Sequence, residues 1–242
     1  MRTALISDLH GNDVALRAVL AHIADAHVDR IVCLGDVATL GPAPQRVLET
    51  LAELGCACIL GNHDEFLLDV DLIRRYTEIP VIVEAVDACR AALGAADLSF
   101  IRGFQRTLDV DLDGATLGLF HGSPRSHMED LLATTPGAAL DEALGERRAT
   151  VMAGGHTHIQ MLRQHRGTLL VNPGSLGLPF EQFASGGPPR VLPHAEYAIV
   201  ESKRGAVTVT LSRVPVDRGA LIAAVERWDN PLRDWLLQQY RS

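Results

Sequence analysis

Clustered positive charge is missing from this sequence. No run of Lys or Arg stands out, and 22 basic side chains compare with 30 acidic ones, a formal net charge of −8 at pH 7. Proteins that bind nucleic-acid polymers or anionic membranes usually carry a basic face. We therefore expect neither partner, and an anionic ligand would have to be attracted locally, by a cation or a small basic pocket.

Paired cysteines and long apolar runs are also missing from the sequence. The four cysteines form no Cys-x-x-Cys motif and three lie in apolar runs, so we predict buried free thiols rather than a redox or zinc site. No segment has the roughly 18 uninterrupted apolar residues of a membrane span. Asp8 also interrupts the stretch in which a signal peptide would have its apolar region. The expected location is the cytoplasm.

The first third of the sequence alternates short apolar runs with amphipathic segments. The apolar runs at 3–7, 30–34 and 56–60 predict buried parallel strands. The segments at 13–27 and 44–54 have apolar residues at helical spacing. This order predicts a parallel sheet, and the ligands of such sheets gather beyond the carboxyl ends of the strands.

The remaining sequence predicts further elements of one domain that spans residues 1–242. Residues 65–104 form a mostly helical excursion beside the sheet, and 217–240 form a C-terminal helical segment. Further strands are predicted at 107–110, 116–120, 150–153, 161–163, 168–171, 197–201 and 207–211. Residues 178–193 contain four prolines and two glycines without periodicity, which predicts a long surface loop.

Two tryptophans mark the C-terminal segment. Trp228 and Trp235 lie seven residues apart, so on one helix they would share a face. That face would either pack on the parent domain or form the interface of a homo-oligomer.

Polar side chains that can bind metals follow five of the apolar runs. They are Asp8 with His10, Asp36, Asn62 followed by His63, His121, and His156 with His158. Residues i and i+2 of an extended segment point the same way, about 6.5–7 Å apart, so paired side chains of this kind can converge on one cation or hold two neighbouring ones. Each motif alone has a structural explanation, such as a helix cap, but their recurrence at strand ends favours one shared site.

The chemistry of these side chains predicts an open site for two metal ions. They offer two carboxylates, one amide oxygen, four imidazoles and no thiolate, a set that suits Mn, Fe, Zn or Ni better than a closed structural zinc site. Seven ligands are too many for one tetrahedral ion and enough for two ions that share a carboxylate. Two cations about 3.5–4 Å apart can activate a water and stabilise a phosphoryl displacement.

The order of these motifs resembles that of a known family. D-x-H, G-D, G-N-H-D, H-G and G-H-T-H, from Asp8 to His158, are similar to the motifs of the calcineurin-like metallophosphoesterases, and Val171–Ser175 extends the resemblance. The stretches S-D-x-H-G-N, G-D-x-x-x-x-G-P and H-G-S-P-R resemble the small bacterial branch of predicted phosphodiesterases. The resemblance implies an α/β (α+β) fold, a two-sheet β-sandwich flanked by helices, with a dinuclear site on one edge.

The resemblance also implies which residue holds which metal. One metal would be bound by Asp8, His10, Asp36 and His158, and the other by Asp36, Asn62, His121 and His156. His63 would not be a ligand. It would act as the catalytic acid that protonates the leaving group.

Two residues are predicted to bind substrate. Arg125 lies four residues after His121, within reach of a phosphate held between the ions, and its guanidinium can bind two phosphate oxygens. The alternative for Arg125 is a surface ion pair with Glu129 or Asp130. Asn12 is the second predicted substrate-binding residue, and it is also the expected N-cap of the first helix.

One position departs from the pattern of the phosphoprotein phosphatases. Those enzymes place an Asp three residues beyond the bridging Asp, near the catalytic His, whereas this sequence has Thr39 there. A branch with that Asp–His pair is therefore disfavoured. The orientation of His63 must come from another residue.

The predicted function is the metal-dependent hydrolysis of a small-molecule phosphoester, a diester rather than a phosphoprotein, by a hydroxide that bridges the two metals. Two alternatives stay open. The first is a phosphatase that acts on small-molecule monoesters or phosphoproteins, and the second is a non-catalytic scaffold that keeps the fold without the metals. A nuclease that acts on polymeric nucleic acid is opposed by the acidic charge balance.

Overall fold

A computed structural model describes residues 1–184 and 187–242 of the chain. Within these residues the strands form two five-stranded sheets, and helices flank them. Apolar side chains from both sheets form one buried cluster, which includes Leu5 and Val32 from the first sheet and Leu117 and Val151 from the second. The predicted two-sheet sandwich flanked by helices is therefore confirmed.

The first part of the chain has the predicted β-α-β-α-β order. It consists of β1 (Arg2–Ile6), α1 (Asp13–Asp25), β2 (Arg30–Cys33), α2 (Pro44–Leu54) and β3 (Ala57–Cys58). β1 pairs in parallel with β2, and β2 with β3. β3 is shorter than predicted, because Ile59, which follows Cys58, forms only an isolated bridge to Gln105 within the described residues.

The middle of the chain contains the helical excursion and the second sheet. The helices of the excursion are α3 (Asn62–Leu68), α4 (Val70–Tyr76), α5 (Pro80–Ala91) and α6 (Ala95–Arg102). Then follow β4 (Leu108–Asp111), β5 (Thr116–Leu119), α7 (Gly137–Leu144), β6 (Val151–Ala153), β7 (Met161–His165) and β8 (Thr168–Asn172). The second sheet has the order β4-β5-β6-β8-β7. Helix α7 was not predicted, since its eight residues bury only Leu140, Ala143 and Leu144.

The last strands return to the first sheet. β9 (His194–Lys203) pairs antiparallel with β1 on one side and with β10 (Ala206–Pro215) on the other, which completes the order β10-β9-β1-β2-β3. Both strands are longer than predicted. The predicted loop at 178–193 contains an antiparallel bridge between Phe180 and Val191, and its residues 185 and 186 lie outside the described part of the chain.

The C-terminal segment forms two helices rather than one. α8 (Arg218–Glu226) and α9 (Arg233–Arg241) are separated by a turn that contains Pro231, so the two tryptophans do not share a helix. Both rings instead pack, partly buried, against an apolar cluster that includes Leu178 and Val225 of the same chain. The homo-oligomer stays a prediction. No helix in the described ranges is long and apolar enough to cross a membrane.

Candidate metal centre

The seven predicted metal ligands converge at one edge of the two sheets, in the segments that follow β1, β2, β3, β5 and β6. The donor atoms of six of them fall into two groups, and the atoms within each group lie within 4.8 Å of one another. The groups are Asp8, His10, Asp36 and His158, and Asp36, His121 and His156. The amide oxygen of Asn62 lies 3.2 Å from Nε2 of His121. The structure thus brings all seven residues together around a shared Asp36, while their assignment to two ions stays a prediction.

The backbone at this edge is strained where the ligands sit. Five of the seven have a left-handed conformation, with φ between 45° and 69°: Asp8, His10, Asp36, His156 and His158. Such values are uncommon for residues other than glycine and cost about 1–3 kcal/mol each. Neighbouring loops hold the conformation, since the N–H of Asp8 donates to the carbonyl of Gly35 at 2.9 Å and that of His10 to the carbonyl of Asp36 at 3.0 Å.

Backbone carbonyls orient two of the imidazoles from behind. Nδ1 of His121 lies 2.6 Å from the carbonyl oxygen of Leu34, and Nδ1 of His158 lies 2.7 Å from that of Leu178. A carbonyl only accepts hydrogen bonds, so each Nδ1 carries the proton. Each Nε2 faces a carboxylate and can bind a metal once it carries no proton, which is how metal-binding histidines are usually held.

The third imidazole is oriented by a side chain. Nδ1 of His10 lies 3.2 Å from the hydroxyl of Thr39, and its Nε2 lies 3.0 Å from Nε2 of His158. A cation shared by these two nitrogens would satisfy both of them. Thr39, which stands where phosphoprotein phosphatases have an acid, here positions a predicted metal ligand.

The electrostatics of the site also fit a cation. Burial disfavours the charged form of His121, but Asp36 and Asp8 outweigh it and raise the pKa of His121 to about 10. Its Nε2 lies 3.3 Å from Oδ2 of Asp36 and 3.9 Å from Oδ1 of Asp8. Burial likewise opposes the ionisation of Asp8, yet His158 and His121 lower its pKa. Two ionised carboxylates in a buried site need a positive charge, and a bound metal would replace the proton on His121.

Asp64 ties two of the metal-site loops together, a role that the sequence did not reveal. Its side chain is fully buried and accepts from the N–H groups of Asp36 at 2.8 Å, Val37 at 2.9 Å and Gly61 at 2.9 Å. Burial and the charge of Asp36 raise the pKa of Asp64 to about 6, although the N–H groups of Val37 and Gly61 lower it. Gly61 is required by this close approach, since a Cβ there would lie 2.1 Å from Oδ1 of Asp36.

The stretch at the end of β8, Val171–Ser175, supports the other two loops. Nδ2 of Asn172 donates to the carbonyl of Gly155 at 2.7 Å and to the hydroxyl of Thr157 at 3.0 Å. The hydroxyl of Ser175 donates to the carbonyl of Asp8 at 2.7 Å. These buried hydrogen bonds position the loop of His156 and His158 relative to the loop of Asp8.

His63 lies beside the metal-binding groups without belonging to either. Its N–H donates to Oδ1 of Asp36 at 2.9 Å, and its ring meets that of His10 edge-on, with centroids 5.1 Å apart. Its Nδ1 is buried and has no hydrogen-bond partner within the described residues. Burial, opposed by the charge of Asp36, lowers the pKa of His63 to about 4. A substrate phosphate would have to raise this pKa before His63 could donate a proton.

The two predicted substrate-binding residues are engaged elsewhere. Nε of Arg125 donates to Glu129 at 2.9 Å, its NH2 also contacts Glu129, and its side chain is 52% exposed. This is the ion pair that was the alternative interpretation. Asn12 is buried, and its amide accepts from the N–H of Ala15 and donates to the carbonyl of Gly177, so its observed role is the N-cap of α1. The hydrogen bonds that the structure shows for these two side chains do not involve the metal-binding groups. Their substrate roles stay predictions.

Other side chains at the rim of the site were not predicted. Glu65 forms ion pairs with His127 at 2.9 Å and with Arg106 at 2.8 Å. Oδ1 of Asp130 lies 3.3 Å from Nε2 of His156. The ring of Tyr76 continues an aromatic series from His63 through Phe66, with centroids 5.2 and 5.3 Å apart. None of these residues lies in a strand-end motif, so no local pattern marked them.

Comparison with known proteins identifies the class to which this fold and site belong. The model of the calcineurin-like phosphoesterase superfamily domain matches residues 1–201. The chain therefore belongs to the calcineurin-like phosphoesterase superfamily, and the resemblance drawn from the motifs is confirmed. The family match makes this chain a phosphoesterase-family protein, and its clustered donor atoms give it a candidate metal site.

Individual relatives support this placement to different extents. An uncharacterized protein of Methanocaldococcus jannaschii is 27% identical over 194 residues, covering 73% of this chain and 76% of that protein. The symmetrical bis(5'-nucleosyl)-tetraphosphatase of Pectobacterium carotovorum is 40% identical over 73 residues, but these cover only 29% of this chain and 26% of that enzyme.

Solved structures extend the similarity over the whole fold. A metallophosphoesterase from Sphaerobacter thermophilus superposes with a TM-score of 0.76 at 25% identity, covering 100% of this chain and 99% of that one. A hypothetical protein from Pyrococcus horikoshii superposes with a TM-score of 0.81 at 18% identity, covering 98% and 96%. The second similarity concerns the fold alone.

Proposed function

We propose that the protein is a metal-dependent phosphodiesterase with two metal ions in its site. The observation that carries this proposal is the pair of donor groups that share Asp36. Two divalent cations bound there would supply an activated water and positive charge against the phosphate oxygens, with Mn, Fe, Zn and Ni as the candidate metals. The substrate would be a small-molecule phosphoester, since the acidic charge balance does not favour a polymeric nucleic acid. The cytoplasmic location also stays a prediction.

Individual residues of the chain would then have separate roles in the reaction. The carbonyls of Leu34 and Leu178 keep two imidazoles in the metal-binding orientation, which keeps the site ready before substrate arrives. His63 would donate a proton to the departing alkoxide. Its low pKa does not prevent this role, because the negative charge of a bound phosphoester would stabilise the imidazolium.

The test is a panel of esters assayed after chelation and again after addition of Mn²⁺, Zn²⁺ or Fe²⁺. The expected result is hydrolysis of bis(4-nitrophenyl) phosphate that depends on added metal. His158→Gln should lose metal and activity together. A matched control is His165→Gln, since His165 pairs with Asp141 on a hairpin outside the metal-binding groups. A protein that binds no metal and hydrolyses no member of the panel would instead fit the scaffold alternative.

A second candidate activity follows from the 73-residue match to the symmetrical bis(5'-nucleosyl)-tetraphosphatase of Pectobacterium carotovorum. The bond cleaved in such a substrate joins two phosphates rather than a phosphate and an alcohol. A dinucleoside tetraphosphate therefore belongs in the same panel as mono- and diesters. Hydrolysis of this compound with a kcat/KM well above that of every diester would replace the phosphodiesterase proposal.

A further inference from the structure

Asp130 places a half-exposed carboxylate beside one of the two donor groups. Its Oδ1 lies 3.3 Å from Nε2 of His156, and its side chain is 45% exposed whereas that of His156 is 7% exposed. The carboxylate therefore stands at the mouth of the site, between the buried imidazole and solvent. Among the described residues, Asp130 is not one of those whose donor atoms cluster with Asp36, so its position is outside the candidate ligand set.

The backbone around Asp130 is well anchored. The next residue, Leu131, is buried in an apolar cluster with Phe120. The guanidinium of Arg163 donates to the carbonyls of the same loop, at 3.2 Å for Leu132 and 2.6 Å for Thr135. The position of the carboxylate is therefore fixed by the packing of its own loop.

The other rim acids are neutralised, whereas no arginine pairs with Asp130 in the described part of the chain. Glu129 pairs with Arg125, and Glu65 pairs with Arg106. The ion pair that the described residues give Asp130 is the one with His156. If Nε2 of His156 binds a metal, it has no proton to donate, and the charge of Asp130 then faces the opening.

The hydroxyl of Tyr76 is affected by the same negative charge. Burial, followed by the charges of Asp130 and Asp36, raises the pKa of Tyr76. Tyr76 is 48% exposed, so its ring lies at the surface, where its hydroxyl is affected by the half-exposed carboxylate of Asp130. An anion that enters there passes a negative charge before it reaches the donor groups.

We propose that Asp130 is a specificity-determining residue that disfavours doubly charged phosphate monoesters and so selects singly charged diesters. The inference rests on the proposed function and goes beyond it by naming the residue that selects substrates by their charge. A monoester has a second pKa near 6 and is a dianion at pH 8, whereas a diester carries one negative charge. At a partly screened rim, the extra charge is expected to change kcat/KM about tenfold, roughly 1.4 kcal/mol.

The experiment compares wild type, Asp130→Asn and Asp130→Glu, loaded with Mn²⁺ at pH 8 and low salt. The substrates are 4-nitrophenyl phosphate and bis(4-nitrophenyl) phosphate. Asp130→Asn should raise kcat/KM for the monoester about tenfold and leave that for the diester within about twofold, and Asp130→Glu should restore the wild-type ratio. Asp234→Asn is the matched control, because Asp234 is 83% exposed on α9. Adding NaCl should narrow the monoester–diester difference in wild type but not in Asp130→Asn.

A binding measurement separates this inference from the proposed function. Calorimetry with methyl phosphate and dimethyl phosphate measures the same charge preference without turnover, and metal content is determined on the same samples. If wild type hydrolyses neither ester while Asp130→Asn still binds methyl phosphate about tenfold more tightly, the proposed function fails and the inference stands. Equal changes for both esters, no change for either, or loss of metal in Asp130→Asn would overturn the inference.

Discussion

Replacing Asp64 with Asn tests the idea that one buried carboxylate holds two metal-site loops together. Asp64 accepts three backbone N–H groups with its two oxygens: Oδ2 takes those of Asp36 and Gly61, and Oδ1 takes that of Val37. Asparagine has only one acceptor oxygen. In either orientation of the amide, at least one buried N–H loses its partner and faces an NH2 group, and the remaining bonds lose their charge assistance.

The size of the effect follows from these contacts. Leaving a buried donor unsatisfied costs about 1–3 kcal/mol, and hydrogen bonds to charged groups contribute about 1.5–3 kcal/mol each. We therefore expect Asp64→Asn to lower the free energy of unfolding by about 3 kcal/mol, which for a chain of this length is a fall in Tm of roughly 6–12 °C. Metal affinity should fall about 10–100-fold, the usual effect of removing a group that positions a ligand.

The chain offers a closely matched control. Asp97 caps α6 through the N–H of Gly94 at 2.8 Å, in the same Gly-x-x-Asp arrangement, but it is only partly buried and bonds no other loop of the described residues. Asp97→Asn keeps an acceptor for that one N–H and should change Tm by less than about 2 °C. Calorimetric Tm and metal titration at pH 8 on both variants give the comparison. If Asp64→Asn matched Asp97→Asn in both measurements, the three observed hydrogen bonds would not have the proposed role.

Three further predictions concern the donors and His63. Asp36→Asn should lower metal content and hydrolysis together, because Asp36 is shared by both donor groups; stoichiometric metal with normal turnover, measured on one sample, would refute this. His63→Ala should keep its metals and lose roughly 10²–10⁴-fold in rate, with a smaller loss for nitrophenyl esters; equal losses for good and poor leaving groups would argue against proton donation. Because burial lowers the pKa of His63 from 6.5 to about 4, the unfolded chain binds the proton more readily over that range, and stability rises with pH across it. The full difference in pKa corresponds to roughly 3 kcal/mol. Since His63 is only half-buried, we expect the free energy of unfolding of chelator-treated protein to fall by about 1–2 kcal/mol between pH 7 and pH 4. Urea titrations should show a smaller loss of stability in His63→Gln than in wild type. Identical pH profiles of the two proteins would contradict the assignment of this pH dependence to His63.

The elements around the site were predictable because their signals are local. Apolar runs that end in polar residues predicted β1, β2 and β3, and the same signal located Asp8, Asp36 and Asn62 at strand ends. Parallel strands end on one edge of a sheet, so convergence of these side chains followed from topology. Helix α7 escaped prediction, because its few buried positions give a short and ambiguous pattern.

What the sequence determined by itself is the order of the strands, the chemistry of the donors at their ends and membership of a phosphoesterase superfamily. Only the tertiary structure decided the partners of those donors: Thr39 behind His10, Asp64 beneath Asp36, and Asp130 beside His156. These contacts join residues 26 to 29 positions apart, across loops whose ligands adopt left-handed backbone conformations. Periodicity records which face of a helix or strand is buried. It carries no information about where an irregular loop directs a side chain, because that direction depends on the packing of several loops at once.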